Sequence, residues 1–192
     1  MELLEARIIK EGIVANGDIL KVGSFLNQQM DIPFVGKLAN EIYTLYKDSH
    51  VNKVLTIEAS GICIAALTAQ KFNCNAIFAK KNATSNIQGE CYSTHLHSYT
   101  HNNDYSVIVP KDYLGKNDRV LIVDDFLATG EALEALIRIV EMSGATLVGC
   151  ATLIEKVYQE GGNKIRRRGI RVESLAKITN LCGKDGIEFE KQ

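Results

Sequence analysis

Apolar and polar positions follow two different rhythms along the chain. In the first fifty residues the apolar ones recur every three or four positions. Leu3, Leu4, Ile8 and Ile9, with charges between them, have helical spacing that ends near Gly12. Val35, Leu38, Ala39, Ile42 and Leu45 predict a second helix over Ile32 to Tyr46, with Pro33 near its start, where a missing N–H is tolerated. Between them, Ile19 to Asn27 reads as extended chain or turn.

From residue 51 strands alternate with helices. Val51 to Ile57 is a β-branched strand, Glu58-Ala59-Ser60-Gly61 a turn, and Ile62 to Lys71 a helix. Asn75 to Ala79 is a further strand, leading into Lys80-Lys81. The aliphatic run Asp118 to Val123 has the pattern of a strand buried on both faces, and a helix over Thr129 to Met142 closes at Gly144. A strand over Ala145 to Ile154, a short polar helix after Gly161-Gly162 and a strand over Gly169 to Ala176 complete the series. Strands joined by single helices imply an α/β fold, a mainly parallel sheet with helices on both faces. Asn82 to Asn103 breaks the rhythm, polar at first and then alternating from Cys91 to Tyr99. So long an irregular stretch inside a compact domain predicts a functional lid or a mobile loop.

The length of 192 residues fits a single domain with a self-sufficient core. Lys and Arg number 22 against 23 Asp and Glu, for a net charge of −1, which argues against coating nucleic acid or a membrane through a global field. Glu2, Glu5, Arg7, Lys10 and Glu11 interrupt the N-terminal aliphatics, so no signal-peptide core can be drawn. The 5 cysteines are scattered without a C-x-x-C spacing, which fits reduced thiols and a cytoplasmic location.

The stretch Val120 to Ala132 carries the chemistry. Four aliphatics make a buried strand, and Asp124 and Asp125 stand at its C-terminal end, where α/β sheets bind ligands. Thr129-Gly130 then opens a helix whose free N–H groups and positive dipole end suit a phosphate. Glycine lets the backbone approach the anion, and the Thr129 hydroxyl can add a contact. Carboxylates close to a phosphate cradle suit a sugar phosphate, accepting from vicinal hydroxyls or helping to hold a divalent ion. The plainer alternative is an ordinary strand–turn–helix with Thr129 as the N-cap. Four aliphatics, a double aspartate and Thr-Gly in this order favour the phosphate site, and the two common rival phosphate loops are absent.

Residues 120–132 resemble the phosphoribosyl diphosphate (PRPP) motif of type I phosphoribosyltransferases. Leu20-Lys21-Val22, Ser24 to Asn27, Thr56 to Gly61, Ile154-Glu155-Lys156 and Arg171 to Ala176 extend the likeness to the bacterial xanthine-using branch of that family over nearly the whole chain. The resemblance implies one domain over 1–192: a small N-terminal base-binding lobe at 1–50, an α/β core at 51–178 with a flexible hood at 82–104, and a C-terminal segment at 179–192. It places Ala128, Thr129, Gly130, Glu131 and Ala132 around the 5-phosphate of PRPP and Asp124 and Asp125 beneath the ribose as the catalytic pair. Glu58, Ala59, Ser60, Gly61 and Lys81 form the pyrophosphate loop, and Leu20, Asn27 and Lys156 the xanthine site. Mg²⁺ enters on PRPP with no direct protein ligand, and the protein is a homodimer that transfers the phosphoribosyl group to xanthine in purine salvage. One departure is that Ala79-Lys80-Lys81 stands where related sequences carry Ala-Arg-Lys, which keeps the charge and loses the bidentate fork.

Lys156, a pure donor, suits a 6-oxo purine better than the 6-amino group of adenine, and Asn27 can both donate and accept, which suits a 2-oxo edge. Alone, Asn27 reads equally as a turn residue and Lys156 as a surface lysine at a strand end. Rival functions are transfer to hypoxanthine, guanine or adenine, and a PRPP-sensing regulator with an RNA-binding face at Lys164, Arg166, Arg167 and Arg168. That tract reads more simply as a solvated helix face. His95, His97 and His101 are close enough to suggest a metal, but exposed loop histidines are the simpler reading.

Overall fold

The computed structural model describes residues 1–81, 89–98, 103–183 and 186–191. The chain opens with helix α1 (Glu2–Glu11) and a two-stranded hairpin, β1 (Ile13–Ala15) and β2 (Ile19–Lys21). A π-helical turn, Gly23–Asn27, leads to α2 (Ile32–Tyr46). Asp31 caps α2, its carboxylate accepting the N–H of Phe34 at 3.1 Å, with Pro33 in the first turn as expected.

The remaining elements build one eight-stranded sheet. In chain order they are β3 (Lys53–Ile57), α3 (Gly61–Phe72), β4 (Asn75–Lys81), β5 (Cys91–Ser98), β6 (Asn103–Pro110), β7 (Arg119–Leu127), α4 (Glu131–Ser143), β8 (Thr146–Lys156), α5 (Gly161–Arg167), β9 (Val172–Gly183) and β10 (Gly186–Phe189). The spatial order is β10-β9-β8-β7-β3-β4-β6-β5. β9, β8, β7, β3 and β4 are parallel; β10 pairs antiparallel with β9, and β6 antiparallel with both β4 and β5.

Alternation along the central strands divides the core between the two faces. Val54, Leu121 and Val123 join Leu4, Ile8, Val35 and Ile64 on the face covered by α1, α2 and α3. Leu55, Ile57, Val120 and Ile122 join Leu133, Leu136 and Val140 of α4 on the other. Residues 1–50 thus share a core with the sheet.

The structure differs from the sequence reading at element ends and in the antiparallel strands. The strand read as Asp118 to Val123 runs to Leu127 and carries both aspartates within it. The last parallel strand runs to Gly183, because β10 folds back on it and extends its pairing. Cys91–Ser98, expected to be irregular, is a strand paired with β6 along its length. β6 escaped the sequence reading because its apolar run is short: Val107, Ile108 and Val109 are buried ahead of Pro110. The hood expected at 82–104 lies partly outside the described residues, at 82–88 and 99–102.

Strand order reverses between β3 and β7: the chain moves outward from β3 to β4 on one side, and from β7 through β8 to β9 on the other. Such a switch point opens a crevice at the C-terminal ends of the two strands.

Candidate active site

The crevice gathers the turn after β3, the end of β7 and the π-helical turn of the N-terminal segment. Asp124 and Asp125 are each 5% exposed. Asp125 is the hub: its Oδ1 accepts from Ser60 Oγ at 3.0 Å, and its Oδ2 takes a long contact of 3.5 Å from Asn27 Nδ2. Asp124 Oδ1 accepts the N–H of Asp125 at 3.0 Å. Burial, with the like charge of Asp125 second, holds the Asp124 carboxyl well above the usual carboxylate range. A carboxyl so placed gains from any hydroxyl donor or cation that enters the crevice.

Gly61 leaves the floor open. A Cβ there would fall 2.2 Å from Thr56 Oγ1 and 2.5 Å from Asp124 Oδ1. The Thr56 hydroxyl is buried without a hydrogen-bond partner, so an unspent polar atom lies beside the aspartates. On the rim, Glu58 Oε1 accepts the N–H of Lys81 at 2.7 Å and the N–H of Glu58 donates to the carbonyl of Ala79 at 3.0 Å. The β3 turn and the end of β4 are thereby tied together, and the Glu58–Ala59 peptide is cis.

On the β7 side, Ala128, Thr129 and Gly130 form the turn, and Gly130 takes the left-handed conformation at φ +91°. α4 begins at Glu131, so Thr129 is not its N-cap; its hydroxyl donates instead to the Glu131 carboxylate. The first-turn N–H groups of α4, at Glu131 and Ala132, emerge beside this turn, a natural anion cradle. The start of α5 closes it from behind. The N–H of Gly161 donates to the carbonyl of Ala128 at 3.2 Å, and a Cβ on Gly161 would fall 2.3 Å from that oxygen.

The expected base residues approach from the N-terminal segment and β8. Asn27 reaches Asp125 directly. Leu20 is buried on β2 in the core shared with the sheet. Lys156 ends β8, and its ammonium donates to the backbone carbonyl of Asp18, just ahead of β2. The contacts thus join Asn27, Ser60 and Asp125 in one group and Lys156 to the β1–β2 turn in another. Sequence reasoning missed Asp18, which meets Lys156; it also missed Tyr158 and Gln159, which donate to Asp18, and Thr56 on the floor. None has a periodic or motif signal.

The basic tract is largely the solvated face expected, with Lys164, Arg167 and Arg168 exposed, and Arg166 is the exception. Both nitrogens of the Arg166 fork donate to Glu155 at 2.7 Å, and Glu155 also accepts from Ser174. Burial raises the Glu155 pKa, but the Arg166 and Ser174 hydrogen bonds and the Arg166 charge together outweigh it and bring the group below its ordinary value. Arg167 pairs with Glu160 at 3.1 Å, and Arg168 with Glu134 and Glu141. Three of the charges an RNA backbone would need are already engaged. Of the histidines, His95 is exposed on β5, and His101 lies outside the described residues.

A sequence profile of the phosphoribosyl transferase domain family matches residues 23–171. The xanthine phosphoribosyltransferase of Finegoldia magna is 47% identical over 99% of this chain and 100% of its own length. That of Lachnoclostridium phytofermentans is 50% identical over 97% of this chain and 96% of its own. Among solved structures, adenine phosphoribosyltransferase from Trypanosoma brucei superposes with a TM-score of 0.75 at 18% identity, covering 91% of this chain and 79% of that one. The Rhodothermus marinus adenine enzyme gives 0.72 at 23% identity, covering 92% and 98%. The structural likenesses establish the fold and leave the base open.

Proposed function

The chain belongs to the phosphoribosyl transferase family, and we propose that it transfers the 5-phosphoribosyl group of PRPP to xanthine, giving xanthosine 5′-monophosphate and pyrophosphate in purine salvage. The choice of base rests on the two relatives named for xanthine, each aligned over nearly its whole length. For the site, the carrying observation is that Asp125 joins Ser60 of the pyrophosphate turn to Asn27 of the base site. Both substrates would meet over that carboxylate.

A purine nitrogen attacks the anomeric carbon of PRPP as the bond to pyrophosphate breaks, through an oxocarbenium-like transition state. This needs no covalent nucleophile. The N–H groups of 128–132 bind the 5-phosphate, with the turn held open by Gly130. Asp124 and Asp125 accept from the ribose hydroxyls, and the Asp125 carboxylate places its negative charge near the developing cation. Glu58 to Gly61 and Lys81 surround the pyrophosphate. Lys156 donates to the 6-oxo group of the base, Asn27 serves its 2-oxo edge, and Leu20 packs beside it. The two buried carboxylates and the unpartnered Thr56 hydroxyl are an oxygen-rich set that fits Mg-PRPP; the ion would enter on PRPP, with Asp124 and Asp125 holding the ribose that carries it. When bound, Mg²⁺ neutralises charge on the leaving pyrophosphate. Holding both substrates in line supplies the rest of the acceleration.

The proposal includes a homodimer and a cytoplasmic location; no helix among the described residues is long and apolar enough to cross a membrane. Sedimentation of the purified protein tests the dimer. The function is tested by pyrophosphate release with PRPP, Mg²⁺ and, in parallel, xanthine, guanine, hypoxanthine and adenine. Preference for xanthine is expected. Preference for another base would overturn the specificity, and no turnover with any base, despite PRPP binding, would overturn the reaction.

A further inference from the structure

The turn of the β1–β2 hairpin carries an aspartate that sequence gave no reason to notice. The Asp18 side chain is 59% exposed, yet it collects partners from far along the chain. Tyr158 Oη donates to its Oδ1 at 2.7 Å, and Gln159 Nε2 to its Oδ2 at 3.1 Å. The Lys156 ammonium donates to its backbone carbonyl and lies 3.6 Å from Oδ1. Beside it, the Cys182 thiol meets the carbonyl of Gly17 at 3.4 Å. An aspartate in a tight turn ordinarily serves its own backbone. This one clamps the hairpin onto the end of β8.

The clamp has two consequences for Lys156. A lysine stem has many rotamers, and immobilising it during binding weakens binding. Here the stem is already fixed, its side chain 12% exposed. An ammonium has three N–H donors, so the contact with the Asp18 carbonyl leaves others for an exocyclic oxygen. The same clamp ties β2, which carries Leu20, to the end of β8. Electrostatically, the Asp18 carboxylate balances the lysine charge while Tyr158 and Gln159 hold it in place.

We propose that Asp18 is a positioning residue for the base: its carboxylate, gripped by Tyr158 and Gln159, presents Lys156 and Leu20 as a preformed face for an oxo-purine. This rests on the placement of Lys156 in the base site. Because Asp18 is on the surface, replacing it leaves both cores intact.

The test compares Asp18→Ala, Asp18→Asn, Lys156→Ala and the Asp18→Ala/Lys156→Ala double variant, by initial rates against xanthine and PRPP separately and by thermal melting. Asp18→Ala should raise the KM for xanthine about three- to tenfold, leaving the KM for PRPP and the melting temperature near wild type. Asp18→Asn keeps an acceptor for Tyr158 and should recover most of the loss. The double variant should be no worse for xanthine than Lys156→Ala alone. If Lys156→Ala raises the KM for xanthine and Asp18→Ala does not, the role of Asp18 is overturned and the base site stands. If Lys156→Ala has no effect, the base-site reading itself fails. If Asp18→Ala raises both KM values together or lowers the melting temperature in step, Asp18 only holds the fold together, and the proposal is overturned.

Discussion

One added methyl group at residue 161 probes the phosphate cradle without touching any side chain in it. Gly161 lies against the turn after β7, and a Cβ there would fall 2.3 Å from the Ala128 carbonyl oxygen and 2.6 Å from the Gly130 nitrogen and the Thr129 carbonyl carbon. All three atoms are backbone, so no rotamer change relieves the contact. Ordinary contact begins near 3.4 Å, so in Gly161→Ala the turn and α5 must part by about 1 Å. Gly161 is not among the positive-φ glycines, so alanine brings no backbone strain, and its helix propensity is better by about 1 kcal/mol. The steric effect is therefore isolated. Overpacking of this kind costs about 1–3 kcal/mol, which, expressed in the PRPP complex, is about 5- to 150-fold in affinity. The assay is pyrophosphate release against PRPP at saturating xanthine, with thermal melting alongside. The KM for PRPP should rise within that range while the KM for xanthine holds. A folded Gly161→Ala protein with an unchanged KM for PRPP would refute the placement of the phosphate, as would a rise confined to xanthine.

Asp125→Asn keeps the shape of the hub and removes its charge; kcat should fall by about a hundredfold or more, and full activity would sink the ribose site. The raised pKa of Asp124 means that the native state holds its proton more tightly than the unfolded chain does. Its contribution to stability is full below the ordinary aspartate range and is lost as pH rises through the higher folded value. Asp124→Asn should therefore melt higher than wild type at neutral pH and show a flatter pH dependence on the acid side; parallel melting curves would contradict the buried-carboxyl assignment. Arg166→Met leaves Glu155 buried and unpaired, at a cost of about 3–5 kcal/mol and a melting drop on the order of 10 °C. Glu155→Gln added to Arg166→Met should restore part of that drop, and no restoration would mean the pair is not what holds α5.

The elements of the proposed phosphate site were legible because strand end, turn and helix start are consecutive in sequence. Asp124, Asp125, Gly130 and the first turn of α4 lie within one short stretch, and the local physics of each points the same way. Gly61 was readable for the same reason, opening a helix directly after a strand. The contacts that assemble the site were not. Ser60 and Asp125 are 65 positions apart, and Lys156 and Asp18 are 138 apart; no periodicity links them. Arg166 looked like one more surface charge because its partner Glu155 stands on a neighbouring strand and is buried only in the assembled fold. β6 was hidden because its apolar run is short, Val107 to Val109, and its place between β4 and β5 is set by pairing with distant strands.

The two ends of the crevice are made of different material. At the turn over 128–130 and the start of α4, the proposed phosphate end offers peptide N–H groups, which every residue but proline supplies. At the proposed base end the groups on offer are side chains, Lys156 and Asn27, each erased or replaced by a single codon change. A scaffold divided in this way can exchange one nucleobase for another while its grip on the sugar phosphate is inherited unchanged. Redesign of the protein toward a different purine therefore belongs at Asp18, Asn27, Lys156 and their neighbours, with residues 128–132 left as they are.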